Sequence, residues 1–366
     1  GIAFSHGETW KTMRRFSLTT LRNFGMGEWI IEDTIIEECQ NLIQNFEFHR
    51  GKPFEIKTIM NASVAKIIVL VLLGKWFDYD SQFLRLLALT GENVKFIGGL
   101  RIALFNMFLV LGFLLKSHKT ILRNRDELFS FIRMAFLDHH HKLDKNDPRN
   151  FTDVFLVTQQ ELMFFSLEEN DTFADYFSDK KLVTLVNNLF TTGTETTAST
   201  LHWGILLVMR YPEVQKKVHN EITKVVVSAQ TCTPNSNDTH RCCHLEVQRF
   251  ANILPTSLSH ATTTNIFKNY CIPKGTEVII LLASVARDQA QWEKPDTFNP
   301  EHFLNSKEKF IKREAFLPFV GRRMCAGESF RKELFLFFTS LLQFTFQPLP
   351  GVSHLDLDLS LDVGFT

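Results

Sequence analysis

A cysteine flanked by arginines and glycines is the clearest chemical feature of this sequence. Residues 319–328 read FVGRRMCAGE, and an amphipathic segment follows directly. Unpaired backbone amides at the start of a helix, together with Arg322 and Arg323, favour the thiolate form of Cys325. Such a thiolate can act as a nucleophile or as a metal ligand. The glycines on either side let the backbone pass close to a flat cofactor.

A polar patch interrupts a long helix that the apolar spacing predicts over residues 179–209. Residues 192–197 read TGTETT within a segment otherwise suited to burial. Glu195 and Thr196 are the central pair of this patch. For an isolated pair of threonines, hydroxyls that bond back to carbonyls of their own helix are the simpler explanation.

Two further pairs lie one helical turn apart. Trp10 and Arg14 share a helix face and can meet a carboxylate through indole donation and charge. Glu246 and Arg249 are spaced i, i+3, and taken alone they predict a surface ion pair worth about 0.2 to 0.5 kcal/mol. Neither pair is specific by itself.

The segment around Cys325 resembles the cysteine loop of the cytochrome P450 superfamily, in which a thiolate holds the haem iron. By this resemblance Cys325 is the axial ligand of haem b, which is iron protoporphyrin IX. The same resemblance implies that Trp10, Arg14, His260 and Arg323 bind the haem through its propionates.

Other landmarks of the superfamily occur in the expected order. Glu195 and Thr196 match the acid and alcohol that deliver protons to dioxygen above the haem, so the resemblance implies that they are catalytic. Glu246 and Arg249 match a buried core pair, which His302 is expected to join as a third member. We expect this triad to be structural, since a buried ion pair is severely destabilised when one partner is removed.

The elements that must position these residues are mostly helices, because apolar residues recur at helical spacing over most of the chain. We place helices over residues 8–22, 29–47, 57–74, 81–95, 118–143, 179–209, 212–228, 242–252 and 327–344. Tyr211 before Pro212 predicts the break between two of them. Residues 272–275 form a turn between residues 262–270 and 276–282, which predicts a small β region.

Composition restricts the class of protein. The 366 residues carry 40 basic and 40 acidic side chains, so a nucleic-acid partner is not expected. The 36 phenylalanines suit either a wide dry cavity or simply a phenylalanine-rich core. Residues 102–115 are apolar on every face but too short to span a bilayer, so they either dip into one leaflet or form a buried helix.

The resemblance covers nearly the whole chain and is nearest to the microsomal family 2 branch. It implies a mainly α cytochrome P450 fold, a helical bundle with a small β region, as a single domain over residues 1–366. We expect the chain to be incomplete, without its N-terminal anchor and first helices and without its last strands. The implied location is the cytosolic face of the endoplasmic reticulum membrane.

The implied activity is monooxygenation of a small apolar substrate, a xenobiotic, fatty acid or steroid. NADPH-cytochrome P450 reductase would supply electrons, and cytochrome b5 is a further expected partner. Two alternatives remain open. One is a peroxide-driven isomerase or dehydratase on the same cofactor. The other is a non-catalytic, truncated remnant with impaired haem binding, because only Val320 separates Phe319 from Gly321, where the superfamily has two residues.

Overall fold

The computed structural model is mainly helical. It describes residues 2–3, 5–23, 29–74, 81–98, 117–166, 176–227, 238–257, 260–262, 266–307, 309–318, 324–328, 339 and 341–360. Contacts within the chain group it into two compact units. The first unit comprises Gly1–His202, Ala326–Leu341 and Leu359–Thr366, and the second comprises Trp203–Cys325 and Leu342–Asp358.

The first unit is a helical bundle. Its helices are α1 (Gly7–Asn23), α2 (Trp29–Phe48), α3 (Lys57–Leu73), α4 (Ser81–Ile97), α5 (Ser117–Lys142), α6 (Phe151–Ser166) and most of α7 (Asp179–Arg210). Helix α3 is central, since it packs against α2, α4 and α6. Its apolar residues are buried on nearly every face, so the apolar run at residues 67–73 forms part of the core.

Phenylalanines fill part of the core of this unit. The Phe16 ring contacts those of Phe151, Phe155 and Phe177 edge to face, with centroid distances of 5.5, 5.4 and 5.2 Å. Edge-to-face contacts of this kind are the favoured geometry for aromatic pairs. This cluster supports the simpler of the two explanations for the phenylalanine content.

The second unit continues from the end of α7. It contains α8 (Pro212–Val227), α9 (Asp238–Ala251), α10 (Leu282–Ala286) and two 3₁₀ turns at Pro300–Phe303 and His354–Asp356. The predicted break is confirmed, because α7 ends at Arg210 and α8 begins at Pro212. Helix α9 packs against α8 and against the turn at Pro300–Phe303.

Four short strands form two small antiparallel ladders in this unit. Strand β1 (His260–Ala261) pairs with β4 (Glu277–Val278), and β2 (Ile266–Phe267) pairs with β3 (Tyr270–Cys271). The small β region predicted from residues 262–270 and 276–282 is confirmed, although the prediction did not specify how its strands pair. Lys268 and Asn269, with φ of 45° and 39°, form a tight two-residue turn inside the first of those stretches.

Two of the described helices were not predicted, namely α6 and the short α10. Helix α6 begins at Phe151 after Asn150, whose side-chain oxygen accepts a hydrogen bond from the Asp153 amide at 3.0 Å. This is an N-cap, and the sequence carries its signal in the spacing of Asn150 and Asp153. Phe151 and Phe155, four residues apart, are both fully buried, so helical spacing was present as well.

Several predictions fall outside the described residues. These are the apolar segment 102–115, Arg323, and most of the helix expected over residues 327–344. Among the described residues, no helix has the length and apolar character needed to cross a membrane.

Candidate functional site

Glu195 is a buried acid within α7. Glu195 is 5% exposed, and its Oε1 atom has no hydrogen-bond partner in the described part of the chain. Burial raises the pKa of Glu195, and the charge of Lys57 partly opposes that shift. A buried carboxyl oxygen without a partner is costly, so its position suggests a role other than stability.

Glycines on two helices bring the backbone close to this region. A Cβ atom added at Gly91 of α4 would lie 3.1 Å from Glu195 Oε1, and one added at Gly193 of α7 would lie 3.1 Å from Ile68 Cδ1. Both separations are shorter than ordinary van der Waals contact. The carboxyl group therefore lies directly against the α4 backbone.

The threonines of the polar patch bond to their own helix. Thr196 Oγ1 donates to the Thr192 carbonyl at 2.7 Å, and Thr192 Oγ1 donates to the Asn188 carbonyl at 2.7 Å. The Thr194 hydroxyl is buried and has no partner among the described residues. Because Thr196 uses its proton in the helix, its oxygen can still accept a hydrogen bond from another group.

Trp10 and Arg14 lie on the same face of α1, as predicted. The Arg14 guanidinium carbon is 5.7 Å from the centre of the Trp10 ring, a distance that allows a cation–π contact. Both residues are half-buried. An indole N–H and a guanidinium held together in this way suit recognition of a carboxylate.

Cys325 is exposed and lies at the start of a turn formed by residues 326–328. It takes part in no disulfide. A thiol in this position is accessible to a metal ion in solution or within a cofactor. Arg323, the neighbouring predicted haem-binding residue, lies outside the described residues.

His260 begins strand β1 and pairs with Val278 of β4. It is half-buried. His260 and Cys325 belong to the second unit, whereas Trp10, Arg14, Glu195 and Thr196 belong to the first.

The predicted triad of Glu246, Arg249 and His302 is assembled and buried. Arg249 binds Glu246 in a bidentate pair, with Nε to Oε2 at 2.8 Å and Nη2 to Oε1 at 2.7 Å. His302 Nδ1 lies 3.1 Å from Glu246 Oε1, and His302 Nε2 contacts the Glu293 carbonyl. The three side chains are at most 4% exposed, so the prediction of a buried pair joined by His302 is confirmed.

Backbone groups complete the triad in a way that the sequence did not indicate. The carbonyls of Ala286, Pro295 and Thr297 accept hydrogen bonds from Arg249 at 2.8, 2.9 and 3.0 Å. The Asn299 amide donates to Glu246 Oε1 at 2.9 Å. Paired and hydrogen-bonded throughout, the triad holds α9 to residues 286–302 and has a structural role.

A family model described as Cytochrome P450 matches residues 1–365. The chain belongs to the cytochrome P450 family. Members of this family bind haem through a cysteine thiolate, and in general terms the chain is a haem monooxygenase.

Individual relatives belong to family 2. The chain is 43% identical to cytochrome P450 2K6 of Danio rerio, with 100% of this chain and 73% of the relative covered. It is 43% identical to cytochrome P450 2K1 of Oncorhynchus mykiss over the same shares. It is also 40% identical to cytochrome P450 2C5 of Oryctolagus cuniculus, which covers 98% of this chain and 73% of the relative. These similarities confirm the resemblance to the family 2 branch.

The described residues fit a haem group in their chemistry. Cys325 offers an accessible soft sulfur donor. Trp10 and Arg14 offer a donor pair for a carboxylate. Glu195 offers a buried carboxyl oxygen that no described residue satisfies.

Gly91 is the residue near this site that the sequence analysis missed. A lone glycine inside a predicted helix often marks close packing, and that was the available signal. Its partner, Glu195, lies 104 positions away in the printed sequence, so the contact itself could not be inferred from local spacing.

Proposed function

We propose that this chain is a monooxygenase that inserts one atom of dioxygen into a small apolar substrate, a xenobiotic, fatty acid or steroid, using electrons from NADPH-cytochrome P450 reductase. The single observation that carries the proposal is the buried carboxyl oxygen of Glu195 on α7, which has no hydrogen-bond partner among the residues that the structure describes. A side chain kept for stability would be paired, as Glu246 is.

In this proposal Glu195 and Thr196 act in proton delivery. Because burial raises the pKa of Glu195, its carboxyl group holds a proton at higher pH than an exposed glutamate does, and it can pass that proton on. Thr196 lies beside it in the chain, with a hydroxyl oxygen able to accept a hydrogen bond. Together they would supply the protons that dioxygen reduction consumes.

The remaining site residues hold the cofactor. We assign Cys325 as the thiolate ligand and Trp10, Arg14, His260 and Arg323 as the residues that bind the propionates. When bound, a thiolate-ligated haem favours O–O cleavage because the sulfur donates electron density to the iron.

The proposed location is the cytosolic face of the endoplasmic reticulum membrane, as the resemblance to the microsomal family 2 branch implies. The reductase, and cytochrome b5 as a further partner, would meet the chain there. Arg322 and Lys332, which we expect on the docking surface, lie outside the described residues.

Two observations weigh against the alternatives. A peroxide-driven isomerase or dehydratase does not need a proton-delivering acid and alcohol, yet Glu195 and Thr196 are both present. A remnant that folds poorly is not expected to keep a fully satisfied buried triad, yet every member of the Glu246, Arg249 and His302 triad is hydrogen-bonded.

The carbon monoxide difference spectrum tests the cofactor assignment. We expect the reduced, purified protein to give the red-shifted Soret band of thiolate-ligated haem, and Cys325→Ser to lose it. Cys271→Ser is the matched control, since Cys271 is also exposed but lies on β3, and it should keep the band. A band typical of a neutral ligand would contradict the assignment, and no haem band would support the remnant.

A further inference from the structure

The Glu195 carboxyl group lies close to the backbone of another helix, α4. A Cβ atom at position 91 of α4 would lie 3.1 Å from Glu195 Oε1 and 3.9 Å from its Cδ. Glycine is the only residue that avoids this contact. We propose that Gly91 is a positioning residue. Because it has no side chain, it leaves the space beside α4 that the Glu195 carboxyl group occupies.

Helix α4 cannot easily move away from Glu195. Asn124 of α5 is fully buried, and its Nδ2 atom donates to Glu92 Oε2 at 2.8 Å and to Asn93 Oδ1 at 3.2 Å. Arg85 also forms a bidentate ion pair with Glu127 of α5 at 2.9 and 3.2 Å. These contacts hold α4 to α5 on both sides of Gly91.

The carboxyl group, by contrast, can move. It is the far end of a flexible side chain, so a methyl group at position 91 would displace it by a few tenths of an ångström rather than displace the helix. Alanine is also a better helix former than glycine. Gly91→Ala should therefore leave the protein folded and equally stable while changing where the carboxyl group lies.

This inference rests on the proposed function, in which Glu195 supplies protons. With two electrons from NADPH and two protons, dioxygen either gives hydroxylated product and water or leaves as hydrogen peroxide. Misplaced proton delivery favours the second outcome. We expect Gly91→Ala to raise the peroxide released per NADPH consumed several-fold, with lauric acid as the probe substrate.

Infrared difference spectroscopy of the purified protein tests the contact without turnover. The band lost in Glu195→Gln identifies the Glu195 carboxyl group. Gly91→Ala should shift that band. Ala88→Val, which adds two methyl groups at an exposed position of the same helix, should leave it unchanged, and thermal unfolding should show both variants to be folded.

A double-mutant cycle makes the test specific to this pair. Aspartate at position 195 is one methylene shorter, so its carboxyl group withdraws from Gly91. We expect Gly91→Ala to cause no additional change in the peroxide fraction in the Glu195→Asp background. An equal effect in both backgrounds would show that the substitution acts by another route, and would overturn the proposal.

The outcomes separate the two ideas. An unshifted Glu195 band in Gly91→Ala overturns the positioning role of Gly91, whatever the activity. If Gly91→Ala shifts the band but Glu195→Gln leaves the peroxide fraction unaltered, the positioning role of Gly91 is supported. Proton delivery by Glu195 is then overturned.

Discussion

Two buried glutamates of this chain differ in how their carboxyl groups are paired. Glu246 is 0% exposed and binds Arg249, His302 and the Asn299 amide. Glu195 is 5% exposed, and its Oε1 atom is unsatisfied within the described residues. A buried charge without partners destabilises a fold, whereas a paired one is compatible with it. The contrast separates an acid that the fold pairs fully from one whose position we explain by the proposed function.

Removing the charge of Glu246 should strongly destabilise the folded protein. Glu246→Gln leaves the Arg249 guanidinium buried without its carboxylate, so we expect a loss of about 3 to 5 kcal/mol in the free energy of unfolding. Glu301→Gln, which breaks the exposed pair with Lys217 at 3.1 Å, should cost about 0 to 1 kcal/mol. Denaturant titration measures both, and equal losses would contradict the structural role of the triad.

The pH dependence of stability should reveal Glu195. Because burial raises its pKa above the ordinary value of 4.5, the folded state binds this proton more tightly than the unfolded chain does. The stabilisation is complete below the ordinary value and is lost as the pH rises through the raised one. Glu195→Gln cannot ionise, so its melting temperature relative to the wild type should increase across that window. A difference independent of pH would argue against a raised pKa.

At the scale of elements, one glycine joins two helices of the first unit. Gly74 ends α3 in the left-handed conformation, with φ of 59°, and its amide donates to the Leu70 carbonyl. An added Cβ atom would lie 2.6 Å from Asn150 Nδ2, and Asn150 is the N-cap of α6. Thr152 Oγ1 also donates to the Leu72 carbonyl at 2.8 Å. The end of α3 and the start of α6 are thus mutually dependent.

Gly74→Ala tests this junction. The left-handed backbone alone costs a non-glycine residue about 1 to 2 kcal/mol, and displacement of the Asn150 cap adds to that. Gly51→Ala is the control, since Gly51 has φ of 75° but nothing within 4 Å of an added Cβ atom. We expect the melting temperature to fall further in Gly74→Ala than in Gly51→Ala. An equal fall in the melting temperature of the two variants would mean that the Asn150 cap tolerates the added methyl group.

At the scale of the whole molecule, the residues that we propose to act at the haem are far apart in sequence. Trp10, Glu195, His260 and Cys325 come from α1, α7, β1 and the turn region near the C-terminal end. Haem, the cofactor of this family, is a ligand of the folded chain. Such binding stabilises the folded state by mass action.

Haem removal should therefore lower the melting temperature of the protein. In calorimetry we expect a clear gap in melting temperature between haem-loaded and haem-free wild type, because the cofactor binds only the folded state of the chain. Cys325→Ser should narrow the gap, since the iron loses its protein ligand. Cys271→Ser should preserve it. A gap of the same size in Cys325→Ser would contradict the assignment of the ligand.

Local sequence determined the helices and the class of chemistry. Apolar spacing predicted most of the described helices to within a few residues, and the proline at position 212 predicted the break that the structure shows, because these signals act over one or two turns. The family followed from motifs such as FVGRRMCAGE, which are contiguous. The acid of the Glu246 triad and its partners were also identifiable from short motifs.

Only the tertiary structure decided how those side chains are satisfied. The three carbonyls that bind Arg249, the contact of Gly91 with Glu195 and the pairing of β1 with β4 all join residues distant in sequence. Residue type and periodicity specify which face of an element is apolar, but not which backbone group of another element it meets. Packing therefore pairs the carboxylate of Glu246 fully and leaves Glu195 Oε1 without a hydrogen-bond partner among the described residues.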